Sequence, residues 1–287
     1  MENSDRPPEG RLSACGRLVE RHDRDRYLAS LFAAGREREA LFALYAFNHE
    51  VAKTAEVVSE PMLGEIRLQW WREAIAGIYE GRPRQHEVVL PLAEAVAAKA
   101  LPRELLERIV DARAFDLDPA PPANLEALHA YAEGSSTALL LLALHILGAG
   151  DAASRAAAEH LGPAWAYLGL LRALPLHARQ KRCYLPADLC AEAGVDLQEV
   201  FELRTSPALC RVSETLMAAA AEQLAAARRP AREVPRKALP ALLVARLADL
   251  YLKRLRRAGG DPFAAAVQAP VPGRVWRLAW GHWRGRY

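Results

Sequence analysis

From Ala46 to Pro61 the chain reads AFNHEVAKTAEVVSEP, and from Gly169 to Pro186 it reads GLLRALPLHARQKRCYLP. These two stretches concentrate the side chains whose types and spacing could do chemistry. His49 and His177 with Glu56 would make a two-histidine, one-carboxylate set for a transition metal; the plainer alternative is that they are satisfied polar groups of a core. Lys53, Arg172 and Arg182 could clamp a phosphate or diphosphate without a metal. The alternative for these cations is pairing with Glu56 and other acids, or reaching solvent. In helical register Asn48, His49, Ala52, Lys53 and Glu56 share one stripe, with Glu50 about 160° away from it. The segment therefore predicts a buried helix with a polar inward face, which needs a site to explain it.

The elements that must position these residues are helices. Ala, Leu, Arg and Glu dominate, the 3.6-residue period recurs, and runs of β-branched residues with period-two alternation are nearly absent. Breaks at Gly81–Pro83, Asp118–Ala123, Gly148–Asp151, Arg229–Pro240, Gly259–Pro262 and Pro270–Gly273 delimit helical segments. These segments fall near 13–34, 37–57, 62–80, 87–99, 102–115, 124–147, 152–174, 207–228, 236–257 and 274–283. Pro175 is expected to end or kink the seventh, because its ring clashes with the carbonyl four residues back. No break is long enough for a linker and no solenoid repeat emerges, so 1–287 is expected to form one all-α domain, with 1–12 flexible. Segments that are apolar nearly all round, such as Leu139–Leu147, must sit in the middle, and such bundles commonly leave a central cavity.

Composition excludes several classes. The net charge of +3 is small, although arginines crowd the C-terminal third, so nucleic-acid binding is not indicated. Cys15, Cys183, Cys190 and Cys210 are too few and too scattered for a disulfide framework and offer no CxxC pair. The acidic, Pro-bearing N-terminus resembles neither a signal nor a transit peptide, which points to a cytoplasmic location. TALLLLALHILGAG, from Thr137, is too short to span a bilayer and reads as a core helix. The tail RVWRLAWGHWRGRY places Trp276, Trp280 and Trp283 on one helical face, with Arg277 and Arg284 roughly 90° round, and contains no acid. This aromatic-basic helix, 274–287, suits a membrane interface on the inner face or a partner groove, or else it buries its tryptophans on the bundle.

RYLASLF, ALFALYAF, LQWWREAIAGIYEGRP, IVDARAFDLD, YAEGSS and LLRALPLHARQKRCYLP together resemble the squalene/phytoene synthase family, over most of the chain. The resemblance implies an isoprenoid-synthase-like bundle that joins two prenyl diphosphates head to head. In catalytic members a DDxxD cluster follows LYAF and a DxxxD cluster precedes YLP, and these carboxylates hold Mg²⁺ against the diphosphates. Carried over, the first cluster falls on Ala52, Lys53 and Glu56 and the second on Ala173 and His177, so four of the five carboxylates are replaced. Lys53 and Glu56 cancel in charge and His177 is neutral at pH 7, so magnesium has almost nothing to bind. Asp25 and Arg26 stand where catalytic members have a Ser-Phe pair.

The resemblance narrows, through AFNHEVAKTAEVVSE, LQWWREAIAGIY and WRGRY, to the branch containing the mitochondrial assembly factor of respiratory complex I. It implies a catalytically degenerate protein with no catalytic residue, metal or cofactor. Such a protein would act on a complex I subunit or assembly intermediate, or bind an isoprenoid or anionic lipid. The alternative is a head-to-head prenyl transferase with a diverged site, for which alone Mg²⁺ is expected. Arg24, Tyr45, His49, Lys53, Glu56, Arg172, His177, Arg182 and Tyr184 are the candidate ligand-binding set. Tyr45 and Tyr184 match cavity-side motifs but would serve equally as core residues with bonded hydroxyls. Asp111 and Asp116 resemble an acidic family segment near the cavity mouth, or are simply solvated. Gly134 and Ser135 are expected to permit close helix packing.

Overall fold

The computed structural model describes residues 12–58 and 60–287; the expected flexibility of 1–12 falls, except at Leu12, outside the described residues. Those residues form helices and no strand. Helix α1 (Ala14–His22) opens at Ser13, whose hydroxyl accepts from the Gly16 N–H at 3.0 Å. The expected 13–34 helix is interrupted at Asp23, because its carboxylate caps the Arg26 N–H and starts α2 (Arg24–Ser30). Likewise α3 (Gly35–Ala52) stops before Lys53, and Glu56 belongs to a separate single turn, α4 (Thr54–Val57). Next come α5 (Pro61–Tyr79), α6 (Val89–Lys99) and α7 (Arg103–Ala112), which runs into a 3₁₀ turn at Arg113–Leu117. The expected 124–147 helix is α8 (Leu125–Ala132) and α9 (Ala138–Ile146), joined by a π turn at Glu133–Thr137.

Pro175 does not end its helix. α10 (Ala152–Arg179) continues through it and through Pro163. Each proline removes only its own donor, while the buried face of Leu168, Leu171, Leu174 and Ala178 carries on past the second one and offsets the missing bond. Two short helices lie in a stretch with no expected helix, α11 (Ala187–Ala193) and α12 (Leu197–Phe201). They precede α13 (Pro207–Ala227), α14 (Leu239–Leu242), α15 (Val244–Arg257), α16 (Ala265–Gln268) and α17 (Arg274–Arg284).

The centre of the bundle is made by α3, α9 and α10. Every residue from Leu41 to Phe47 is buried, and so is all of α9 except Leu141 and His145, as the all-round apolar pattern requires. No described helix is long and apolar enough to cross a membrane. α10 packs along α13 and against the π turn, α1 and α6 cover α3, and α15 and α17 close over α2. Two contacts set the spacing. A Cβ on Gly162 would lie 2.1 Å from the Thr137 hydroxyl, and one on Gly134 would lie 2.7 Å from the Ala112 Cβ. The π turn can therefore be gripped from two sides only because glycine stands at both places.

Candidate functional site

The polar stripe of α3 does not face inward as a whole. Asn48, His49, Ala52 and Lys53 are half-buried and Glu56 is exposed, whereas Glu50, on the opposite side, is 7% exposed. Its carboxylate accepts from Lys53 Nζ and, at 3.3 Å, from Arg67 Nη2 of α5. Lys53 is thus neutralised by Glu50, three residues back, and the expected pairing with Glu56 gives way to the usual i,i+3 geometry. His49 stacks on His22 with ring centroids 4.3 Å apart. Burial, reinforced by His22, lowers its pKa.

Asp25 and Arg26 build a second set, where α2 meets α3, α10, α15 and α17. Asp25 is buried, accepts from the Tyr251 hydroxyl of α15 and from Arg274 Nη1 of α17 at 2.7 Å, and has Arg172 Nη1 of α10 at 3.7 Å. Arg172 also lies 3.5 Å above the Tyr251 ring. Arg26 pairs with Asp23 at 2.7 Å, and its guanidinium stands 5.7 Å from both the Tyr45 ring of α3 and the Trp165 ring of α10. Where a cavity is expected between α3 and α10, an arginine bridges the two helices. Concavities of about 400 and 470 Å³ lie elsewhere, along the outer face of α5, sharing Gln69, Arg72 and Glu73.

The third set surrounds YLP. Tyr184 donates to Asp116 at 2.9 Å and accepts from Arg182 at 3.3 Å, and Arg113 reaches Asp116 at 3.2 Å and the Tyr131 hydroxyl. Asp116 is 3% exposed, so solvation fits only Asp111, which is exposed and bonds Arg72. The π turn after Tyr131 belongs here, with the Ser135 hydroxyl returning to the Tyr131 carbonyl. His177 lies 4.7 Å from the Tyr184 ring, and its Nδ1 is buried without a partner. Burial pushes its pKa down to about 4, Asp116 opposing the shift and Arg182 and Arg113 adding to it. Tyr184 moves the other way, raised by burial and by Asp116.

The structure therefore brings His177, Arg182 and Tyr184 together, puts Arg172 with Asp25, and leaves Lys53 with Glu50. Arg24 pairs with Glu20 at the surface. His49, His177 and Glu56 do not converge, and among the described residues no group of three His, Cys, Asp or Glu could hold a metal. The residues at the five cluster positions do not fit Mg²⁺: two are alanines, Lys53 is a cation, His177 is a half-buried neutral imidazole, and Glu56 points to solvent. Sequence spacing assigns no role to Arg67, Arg113, Tyr131, Tyr251 or Arg274, and it sets Glu50 apart from the polar stripe. The i,i+3 charge spacings Glu50–Lys53 and Arg113–Asp116 were the available signal.

The tail settles one alternative. Trp276, Trp280 and Trp283 are 79%, 51% and 67% exposed, so the tryptophans do not pack on the bundle; Leu278 and Gly281 do.

The squalene/phytoene synthase family model matches residues 19–284. A complex I (NADH dehydrogenase, ubiquinone) assembly factor 6 of Bos taurus is 33% identical over 273 residues, covering 95% of this chain and 82% of that one. A presqualene diphosphate synthase of Rhodopseudomonas palustris is 29% identical over 249 residues, 85% of this chain and 88% of that one. The crystal structure of a squalene synthase from Alicyclobacillus acidocaldarius superposes with a TM-score of 0.76 over 86% of this chain and 94% of that one, at 22% identity, a likeness of fold.

Proposed function

The chain belongs to the squalene/phytoene synthase family, and from that premise we propose that it is a catalytically degenerate member that assists assembly of respiratory complex I. The observation that carries this is the state of the two cluster positions. Where diphosphate chemistry needs convergent carboxylates, this chain has alanines, a lysine held by Glu50 and a half-buried neutral histidine. Lys53 and Glu50 satisfy each other, and among the described residues no acidic cluster is left to gather metal ions. The 33% identity to a complex I assembly factor over 95% of the chain supports the same reading.

Two further parts belong to it. His177 Nδ1 is the unpartnered hydrogen-bonding atom of this set, and with the Arg182 guanidinium nearby it would take the head of an isoprenoid or other anionic lipid. The exposed tryptophans of α17 would hold the protein peripherally at the inner face of a membrane. A second reading, a head-to-head prenyl transferase with a diverged site, draws on the 29% identity to a presqualene diphosphate synthase.

The discriminating experiment pairs two measurements. Purified protein with farnesyl diphosphate and Mg²⁺ is expected to give no presqualene diphosphate, squalene or phytoene above a heat-killed control. A deletion strain is expected to lose NADH:ubiquinone oxidoreductase activity in its membranes while carotenoid and hopanoid content is unchanged. Product formation by the protein, or full complex I activity in the deletion, overturns the assembly reading.

A further inference from the structure

We infer that α17 is a preorganised docking ridge for an anionic membrane surface, with tryptophans as the interfacial anchor and a belt of arginines selecting negative headgroups. This deepens the peripheral-membrane part of the proposed function and rests on that part alone, not on the complex I reading.

Geometry comes first. Leu278 is fully buried, and Trp276 and Trp280 each lie two residues from it; Trp283 lies two residues from the buried Gly281. Two residues turn a helix by about 200°, so the three indoles point almost straight away from the bundle. Trp280 and Trp283 have ring centroids 5.2 Å apart, and Val275, 49% exposed, extends the apolar edge.

The ridge is held rather than frayed. At its start Arg274 is tied to the buried Asp25 at 2.7 Å. At its end Arg236 donates to the His282 and Trp283 carbonyls at 2.9 and 3.2 Å. His282 stacks on Phe32 at 4.9 Å, and the buried Tyr287 donates to the Ala227 carbonyl at 2.9 Å. Exposing three tryptophans on a helix fixed at both ends is costly in water unless something covers them.

Charge selects the cover. Residues 274–287 contain no acid, and Arg277 and Arg284 are exposed on the flank, with Arg284 over the Trp280 ring at 4.7 Å. The neighbouring segment that holds the helix end adds exposed Arg229, Arg232 and Arg236 against a single acid, Glu233. Indoles at the depth of the headgroups with arginines beside them match an anionic lipid interface.

The test is co-sedimentation of the full chain with vesicles of phosphatidylcholine alone and of phosphatidylcholine with 30 mole per cent phosphatidylglycerol, alongside tryptophan emission. Binding to the anionic vesicles with a blue shift is expected, at least tenfold stronger than to neutral ones. W276S/W280S/W283S is expected to lose that binding with an unchanged melting temperature. R277Q/R284Q is expected to weaken it by about fivefold per arginine and to flatten its salt dependence. Equal binding to both vesicle types, no binding to either, or binding insensitive to the tryptophan triple each overturns the inference. So does a melting temperature lowered by the triple, or a dimer in solution that the triple dissociates, which would assign the ridge to a second copy.

Discussion

Asp25→Asn should be the most damaging single-atom-scale change in the molecule. The carboxylate receives the Tyr251 hydroxyl and Arg274, with Arg172 beside it. Asparagine keeps one acceptor, so it can serve Tyr251 or Arg274 but not both, and it leaves two guanidiniums facing each other with no anion between them. Breaking a buried pair by removing one partner costs roughly 3–5 kcal/mol. Arg172 and Arg274 keep 31% and 24% of their side-chain surface in water, which screens part of this, so about 2–4 kcal/mol is expected. At about 2–4 °C per kcal/mol for a chain of this size, the melting temperature should fall by roughly 4–16 °C. Urea unfolding of the parent, Asp25→Asn, Arg274→Gln and the double variant gives the coupling, expected at about 1–3 kcal/mol. A loss under about 0.5 kcal/mol, the range of an ordinary surface substitution, with additive effects in the cycle would refute the ion cluster as the anchor of α17.

His177 adds a pH dependence. Its folded pKa, about 4 through burial, lies below the unfolded value of about 6.5. The unfolded state therefore binds the extra proton first, and stability should be fully present above pH 6.5 and fall by up to about 3 kcal/mol towards pH 4. His177→Asn should remove that part of the slope in unfolding curves taken between pH 7 and 4, and an unchanged slope would show that the imidazole is solvated. Aspartate at Ala52, Lys53, Glu56, Ala173 and His177 together should lower the melting temperature through like-charge repulsion, and millimolar Mg²⁺ should restore part of it by binding the native state. A variant that melts unchanged and ignores Mg²⁺ would mean the two cluster positions do not face each other.

The all-helical class and the central place of α9 were legible because Leu139–Leu147 has no polar side to give to solvent. The segment pattern also placed α5, α6 and α7 to within three residues at each end. Three things were hidden. Caps such as Asp23 break a helix through one side-chain bond that periodicity does not register. At Pro175 local sterics favour an end or a kink, and the apolar face that continues beyond it keeps the helix running. The polar stripe of α3 does not fix its rotation, because a helix buried nearly all round has no moment to orient it, and its lone buried carboxylate, Glu50, lies on the side opposite the stripe. At the candidate site the losses at Ala52, Lys53 and Ala173 could be seen in the chain. The gains, Arg26 between Tyr45 and Trp165 and Asp25 under Arg274, depend on partners that sequence spacing does not reveal.

The Asp25 cluster joins residues 226 and 249 positions apart, which bears on the order in which the chain can mature during synthesis. At about 5–20 residues per second, roughly 12–50 s pass between the emergence of Asp25 and that of Arg274. Throughout that interval α2 has its carboxylate and its apolar neighbours in hand but no α15 or α17 to close over them. Contacts of such separation form late and slowly, so the nascent N-terminal helices are the species a cell must shield from aggregation. Any truncation that stops short of α17 would leave the chain permanently in that waiting state.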